Sequence, residues 1–139
     1  MPNWISLQTA IKERTIPKAY GAYAIRCCVV RGRPRHINRI WGTDKKGIMY
    51  FGETGSKEGL SGRLRAFLIA AKSKAAPHSG GKRYHRLKYK RHPGYGLDNL
   101  QVKWVKFESK EDAKKRQDEW LRKYALKFGE LPPLNGQGA

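Results

Sequence analysis

The chain has 139 residues, with 30 Lys+Arg against 11 Asp+Glu and a formal net charge of +19 at pH 7. That length fits one domain, and so much like charge repels itself unless a polyanion such as nucleic acid offsets it. With 39% hydrophobic residues, four Trp, seven Tyr and four Phe it is no disordered basic tail, no stretch is apolar enough to span a membrane, and Met1-Pro2-Asn3-Trp4 does not read as a secretory signal.

Trp4, Leu7 and Ile11 recur at helical spacing and predict a short helix over 3–14, part of an N-terminal helical extension (residues 1–17) that Pro17 stops. Tyr20 to Val30 is rich in strand formers. It contains the only cysteines, Cys27 and Cys28; adjacent thiols rarely bridge, so strand packing in a reducing, cytoplasmic setting is expected. Residues 31–39 read as a basic loop, and 47–52 as a second strand completing a long-looped hairpin. Leu60, Leu64, Phe67, Leu68 and Ala71 mark one face of a helix over 59–73. A short helix over 82–91 follows, then a third strand from Leu100 to Phe107. A final helix runs from Lys110 to Phe128, with Ser109 as N-cap and Gly129 as stop, before an extended tail at Leu131 to Asn135. The order predicts a small single α/β (α+β) domain with a three-stranded, mainly antiparallel sheet flanked by helices.

The charge is uneven. Residues 1–97 hold 21 basic and 4 acidic residues, a net +17, while 98–139 hold 9 and 7, a net +2. Candidate nucleic-acid contacts are Arg31, Arg33, Arg35 and Arg39 in the first basic stretch, then Arg65, Lys74, Lys82, Arg83, Arg86, Lys88, Lys90 and Arg91. Lys and Arg side chains neutralise phosphates. The interleaved Tyr84, Tyr89 and Tyr95 could stack on bases or sugars. Residues 82–92 carry too few large apolar groups for a membrane-surface helix, so no membrane partner is expected.

Gly21-Ala22-Tyr23 on one strand and Tyr50-Phe51-Gly52 on the next resemble the paired signatures of the GIY-YIG nuclease superfamily. Leu60-Ser61-Gly62-Arg63-Leu64 is similar to that family's arginine-bearing helix, and the last helix with Pro133-Leu134-Asn135 to its acidic helix and closing asparagine. The likeness spans residues 18–136 in the family's order. It implies an endonuclease that hydrolyses phosphodiester bonds, with a restriction or repair role. Double-stranded DNA would be the partner, with RNA as the alternative, and the chain would act as a monomer or homodimer. Arg63 would stabilise the scissile phosphate, Tyr23 and Tyr50 would flank the attacking water, and Asn135 would order the site. One Mg²⁺ or Mn²⁺ would be held by a single carboxylate and waters. A dense cationic site is expected to lower the tyrosine pKa from near 10 toward a useful base. The scarcity of acids agrees with one metal, since the first 97 residues offer only Glu13, Asp44, Glu53 and Glu58.

The helical wheel places Arg63 near the edge of its helix's apolar face, about 85° from the centre, with Arg65 nearly opposite. His78, His85 and His92 recur every seven residues, but the intervening Pro and Gly break any helix that would align them for zinc. His85 is the histidine expected to line the cleft. Gly52-Glu53-Thr54-Gly55-Ser56-Lys57 lacks the spacing of a phosphate loop. The metal-ligand position is ambiguous. Glu119 lies roughly 150° from the buried stripe of the last helix and four residues before Lys123. Glu111–Lys115, Asp112–Arg116 and Asp118–Arg122 have the same spacing. Gln117 lies near the stripe's centre, and Ala113, Gln117, Trp120 and Leu121 fit the family's Ala-x-x-x-Glu pattern with glutamine in place of glutamate. A neutral amide is a poor ligand for a divalent cation. Gln117 therefore marks either a natural variant that binds without cutting or a substituted glutamate. Phe67, four residues after Arg63, stands where many family members place His or Tyr. The alternative function is a non-catalytic nucleic-acid-binding module on the same fold.

Overall fold

The computed structural model describes residues 4–29, 33–55, 58–73, 76–92 and 94–136. Arg31, Lys74 and the side chain of Lys90 lie outside the described residues. Elements follow in the order β1 (Ile5–Ser6), α1 (Leu7–Lys12), β2 (Tyr20–Val29), β3 (Arg33–Pro34), β4 (Ile37–Arg39), β5 (Gly42–Asp44), β6 (Ile48–Glu53), α2 (Gly59–Ser73), α3 (Ser79–Arg86), β7 (Leu100–Phe107) and α4 (Lys110–Phe128). Two 3-10 turns lie at Tyr89–Arg91 and Leu97–Asn99. No helix among the described residues is long and apolar enough to cross a membrane.

β2 is the central strand of an antiparallel sheet. β7 pairs along one side of it, from Tyr20↔Phe107 to Cys27↔Leu100. β6 pairs along the other, from Ala22↔Glu53 to Arg26↔Ile48, with a register shift after Ile25. The three expected strands are present in an α+β domain, but the sheet has five strands, not three. β1 adds to the free edge of β7 through Ile5↔Val102, and β3 folds back on the end of β2 through Cys28↔Pro34. Two residues are too few to show alternation, so neither strand left a pattern in the sequence.

Two expected boundaries change with them. The helix expected over 3–14 is only Leu7–Lys12, capped by Ser6, whose Oγ accepts the Thr9 N–H at 3.3 Å. The segment expected as a basic loop contains β3 and β4, and β4 forms its own hairpin with β5. The helix expected over 82–91 starts earlier and ends earlier, at Ser79 and Arg86.

Alternation along β2 separates two faces. Tyr23, Ile25 and Cys27 enter a core with Leu60, Leu64 and Phe67 of α2 and Tyr84 of α3. Ala22 and Ala24 point the other way, and their small side chains let α4 lie against that face. Cys27 and Cys28 are free, buried thiols, and burial pushes Cys27 up to about 12. In α4, the Oγ of Ser109 accepts the Asp112 N–H at 3.2 Å, and Gly129 closes the helix at φ 77°. Ala113, Gln117, Tyr124 and Phe128 are its buried residues. Of the four ion pairs expected on its outer face, Glu119–Lys123 forms at 3.0 Å. Asp118 instead lies 3.8 Å from Lys114, and the Glu111–Lys115 and Asp112–Arg116 pairs do not close.

Candidate functional site

The two Gly/Tyr motifs meet because β2 and β6 are antiparallel and in register: Tyr23 lies opposite Gly52, and Tyr50 opposite Ile25 on the same face. The ring centroids of Tyr23 and Tyr50 are 6.1 Å apart. Gly52 makes this possible, since a Cβ there would run into the Tyr23 ring and come within 2.7 Å of Tyr50 Cε2. Gly21 serves the same end by lying against the Val105 carbonyl oxygen and the Leu60 side chain.

A third ring completes the cluster. His78 is fully buried, 5.4 Å from Tyr50 and 5.2 Å from Phe67 between centroids. It is the N-cap of α3, its Nδ1 accepting the Gly81 N–H at 3.1 Å. Its Nε2 lies 2.7 Å from Tyr23 Oη. Burial, seconded by the Arg63 charge, lowers the His78 pKa from 6.5 to about 3, so the ring is neutral. A neutral imidazole has one N–H. With Nδ1 already accepting, that proton sits on Nε2 and is donated to Tyr23 Oη. The phenol proton of Tyr23 is then free for another acceptor.

Arg63 is half-exposed at the rim of this cluster. Its Nη1 donates to the Pro77 carbonyl at 3.0 Å, leaving further guanidinium N–H groups for a ligand. Its charge acts on Tyr23, Tyr50 and His78 alike. Glu53, at the end of β6, is the acid whose charge reaches both tyrosines.

The expected lowering of the tyrosine pKa does not occur. Burial pushes Tyr23 well above its usual value, Tyr50 adds to this, and Arg63 opposes it without prevailing. Burial raises Tyr50 as well. Tyr23 is 0% exposed and Tyr50 4%. Both are therefore neutral phenols that form the floor of the site, and the half-exposed Arg63 and Glu53 are what a ligand meets first.

The remaining candidates are elsewhere. Asn135 is 4% exposed and closes the free edge of β6: its Oδ1 accepts the Phe51 N–H, and its Nδ2 donates to the Phe51 carbonyl, both at 2.9 Å. Gln117, 9% exposed, adds a second donor to that carbonyl from Nε2 at 3.2 Å. The position of Gln117 on the packed face of α4 and of Glu119 on the outer face agrees with the helical wheel. His85 does not join the tyrosines, its Nδ1 lying 3.2 Å from the Ala71 carbonyl.

The basic candidates divide. Arg33, Arg65, Lys82, Arg86, Lys88 and Arg91 are exposed, and Arg83 is half-buried. Arg35 stacks on Tyr95 at 4.6 Å. Arg39 is tied into the fold by Glu130 at 2.7 Å and by the Leu131 carbonyl at 2.8 Å. Tyr84 is fully buried and stacks on Tyr89, so it is not free to receive a base.

No protein-family model matches the chain, and no curated protein or solved structure matches it. For a divalent cation the donor chemistry at position 117 does not fit. The Gln117 amide is neutral, its nitrogen is engaged with Phe51, and no group of three or more His, Cys, Asp or Glu among the described residues could hold a metal.

The histidine that does join the site, His78, was legible only in part. The signal lay in Gly80-Gly81 behind it. A Cβ at Gly80 would come within 2.7 Å of Tyr50 Cε1, and one at Gly81 within 2.6 Å of the Phe67 carbonyl oxygen. Two side-chain-free residues let the start of α3 press His78 onto the tyrosines.

Proposed function

We propose that this domain is a phosphodiester-binding scaffold of the GIY-YIG nuclease type, directed at DNA. Arg63 receives a phosphate, and the neutral Tyr23–Tyr50–His78 floor fixes where it does so. The observation that carries this reading is the convergence of both Gly/Tyr motifs with the arginine of the following helix in one cluster. A guanidinium against a low-dielectric aromatic floor suits the charge that develops on phosphate oxygens. The tyrosines act as oriented hydrogen-bonding groups, since burial keeps them protonated near neutral pH.

In the family the scaffold resembles, one Mg²⁺ or Mn²⁺ would neutralise phosphate charge. With glutamine at 117 no such step is assigned to this chain, which holds its substrate without cutting it. The test is a plasmid-nicking assay of this chain and its Gln117→Glu variant, with Mg²⁺ and then Mn²⁺. This chain should bind without nicking, the variant should nick, and adding Arg63→Ala should abolish nicking by the variant. If the variant nicks with neither metal, the nuclease reading fails. The second reading, a non-catalytic nucleic-acid-binding module, then stands. It is favoured by the commitment of the Gln117 amide to the Phe51 carbonyl.

A further inference from the structure

On the face of the sheet away from Tyr23 and Tyr50 lies a groove of ≈ 770 Å³ between α4, β6 and the β5–β6 turn. Six of its fifteen lining residues are Lys or Arg, and one, Asp44, is acidic. Its aromatic wall includes Trp4, Phe51 and Trp120, each half-exposed, with Phe51 and Trp120 at 5.4 Å between centroids. This feature is separate from the phosphodiester site, and that site's chemistry does not use it.

Asp44 is held by the β5–β6 turn and Tyr124 and forms no ion pair with the lysines around it. It is 1% exposed, and its carboxylate accepts the Lys46 N–H at 2.8 Å, the Ile48 N–H at 3.1 Å and the Tyr124 hydroxyl at 2.9 Å. Asp44 and the Glu119 that pairs with Lys123 at 3.0 Å offset two of the six positive charges, and the groove stays net cationic. Lys103 registers that charge: partial burial, then the charges of Arg26 and Lys46, lower its pKa. Arg26 and Lys103 both lie over the Trp4 ring, at 4.5 Å and 5.4 Å. A concave site with half-exposed aromatic rings and a net cationic rim calls for a ligand that is both polyanionic and flat-ringed. Unpaired bases on a phosphate chain meet both requirements, because stacking on aromatics needs no particular sequence. Paired bases inside a duplex present no free faces to a groove.

We propose that this groove binds single-stranded nucleic acid, with bases against Trp120 and its aromatic neighbours and phosphates on Lys46, Lys103 and Lys127. The proposal does not depend on cleavage at Arg63.

The experiment is fluorescence anisotropy with a labelled octathymidylate, across a salt series. Trp120→Ala should weaken binding about 5- to 150-fold, the range for loss of one stacked base. The double variant Lys103→Gln/Lys127→Gln should flatten the log–log salt slope by about 1.4, for two lost single-strand phosphate contacts. The charge-matched control Lys12→Gln/Lys114→Gln, outside the groove, should not flatten it. Circular dichroism verifies folding, and the lysine pair decides the matter if Trp120→Ala does not fold. The proposal is overturned if both groove variants bind as the parent does. It is also overturned if polyphosphate of equal charge displaces the oligonucleotide and Trp120→Ala has no effect. A duplex that loses as much affinity on Trp120→Ala as the single strand would overturn it too.

Discussion

Replacing His78 with asparagine should remove a specific pH dependence from the stability of the fold. His78 is fully buried and neutral, with a pKa of about 3 against an ordinary 6.5. Its folded value is depressed, so its contribution to stability is complete above pH 6.5 and is lost as pH falls toward 3. At pH 5 the unfolded chain takes up the proton and the folded chain does not. Over those 1.5 units the fold loses about 2 kcal/mol at 1.36 kcal/mol per unit. Such a loss is a large share of the roughly 5–15 kcal/mol that keeps a domain folded. Asparagine is a favoured N-cap that can still accept the Gly81 N–H, but it is too short to reach Tyr23 and does not titrate. At pH 7.5 the variant should be less stable by about 1–3 kcal/mol, because Tyr23 Oη loses its buried partner. By pH 5 that deficit should shrink by about 2 kcal/mol. Urea unfolding of both proteins at the two pH values measures it. Parallel pH profiles would refute the buried neutral imidazole, and with it the assignment of the Nε2 proton to Tyr23.

Asn135→Ala should cost about 1–3 kcal/mol in thermal or urea unfolding, since the Phe51 N–H loses its side-chain acceptor and its carbonyl one of two donors. Gly52→Ala should destabilise by about 1–3 kcal/mol and alter the near-UV circular dichroism of the tyrosines while leaving the far-UV spectrum in place, because the new methyl displaces the Tyr23 and Tyr50 rings. Asp44→Ala should be the most damaging of these, about 3–5 kcal/mol, as it strips partners from two backbone N–H groups and a buried hydroxyl. Tyr124→Phe at the other end of the same bond should cost less than half as much.

What the sequence disclosed follows from the range of the physics. Periodicity and capping are local, and they placed α2, α4, Ser109, Gly129 and the three long strands. The wheel placed Gln117 inside and Glu119 outside because burial of one face of α4 is a property of α4 alone. The strand pair β2–β6 was expected as a hairpin, and its register, which brings Tyr23 to Gly52, came from the structure. What escaped was non-local or short. β1 and β3 exist only because longer strands offer them an edge. The tyrosine pKa went the wrong way because net charge is visible in a sequence and desolvation is not: Arg63 pulls the phenols down, but burial pushes them up further. The groove cations Arg26, Lys46, Lys103 and Lys127 come from four separate segments, so no run of sequence announced them.

Position 117 joins the fold to the function. Among the described residues the outer edge of β6 at Phe51 has no strand beside it, and an unpaired edge must be closed by side chains or water. Asn135 and Gln117 close it with three hydrogen bonds, two of them converging on one carbonyl oxygen. Glutamine suits that position because it has a donor to give. A glutamate there would set carboxylate lone pairs against the Phe51 carbonyl, a repulsion that a bound cation would relieve and an empty site would not. A carboxylate and a cation therefore belong together at 117, whereas glutamine completes the sheet edge unaided. The same side chain that closes the edge thus withholds the negative charge a divalent ion would need. That missing charge is what the proposal of a scaffold that holds a phosphodiester without cutting it rests on, and the Gln117→Glu variant is its test.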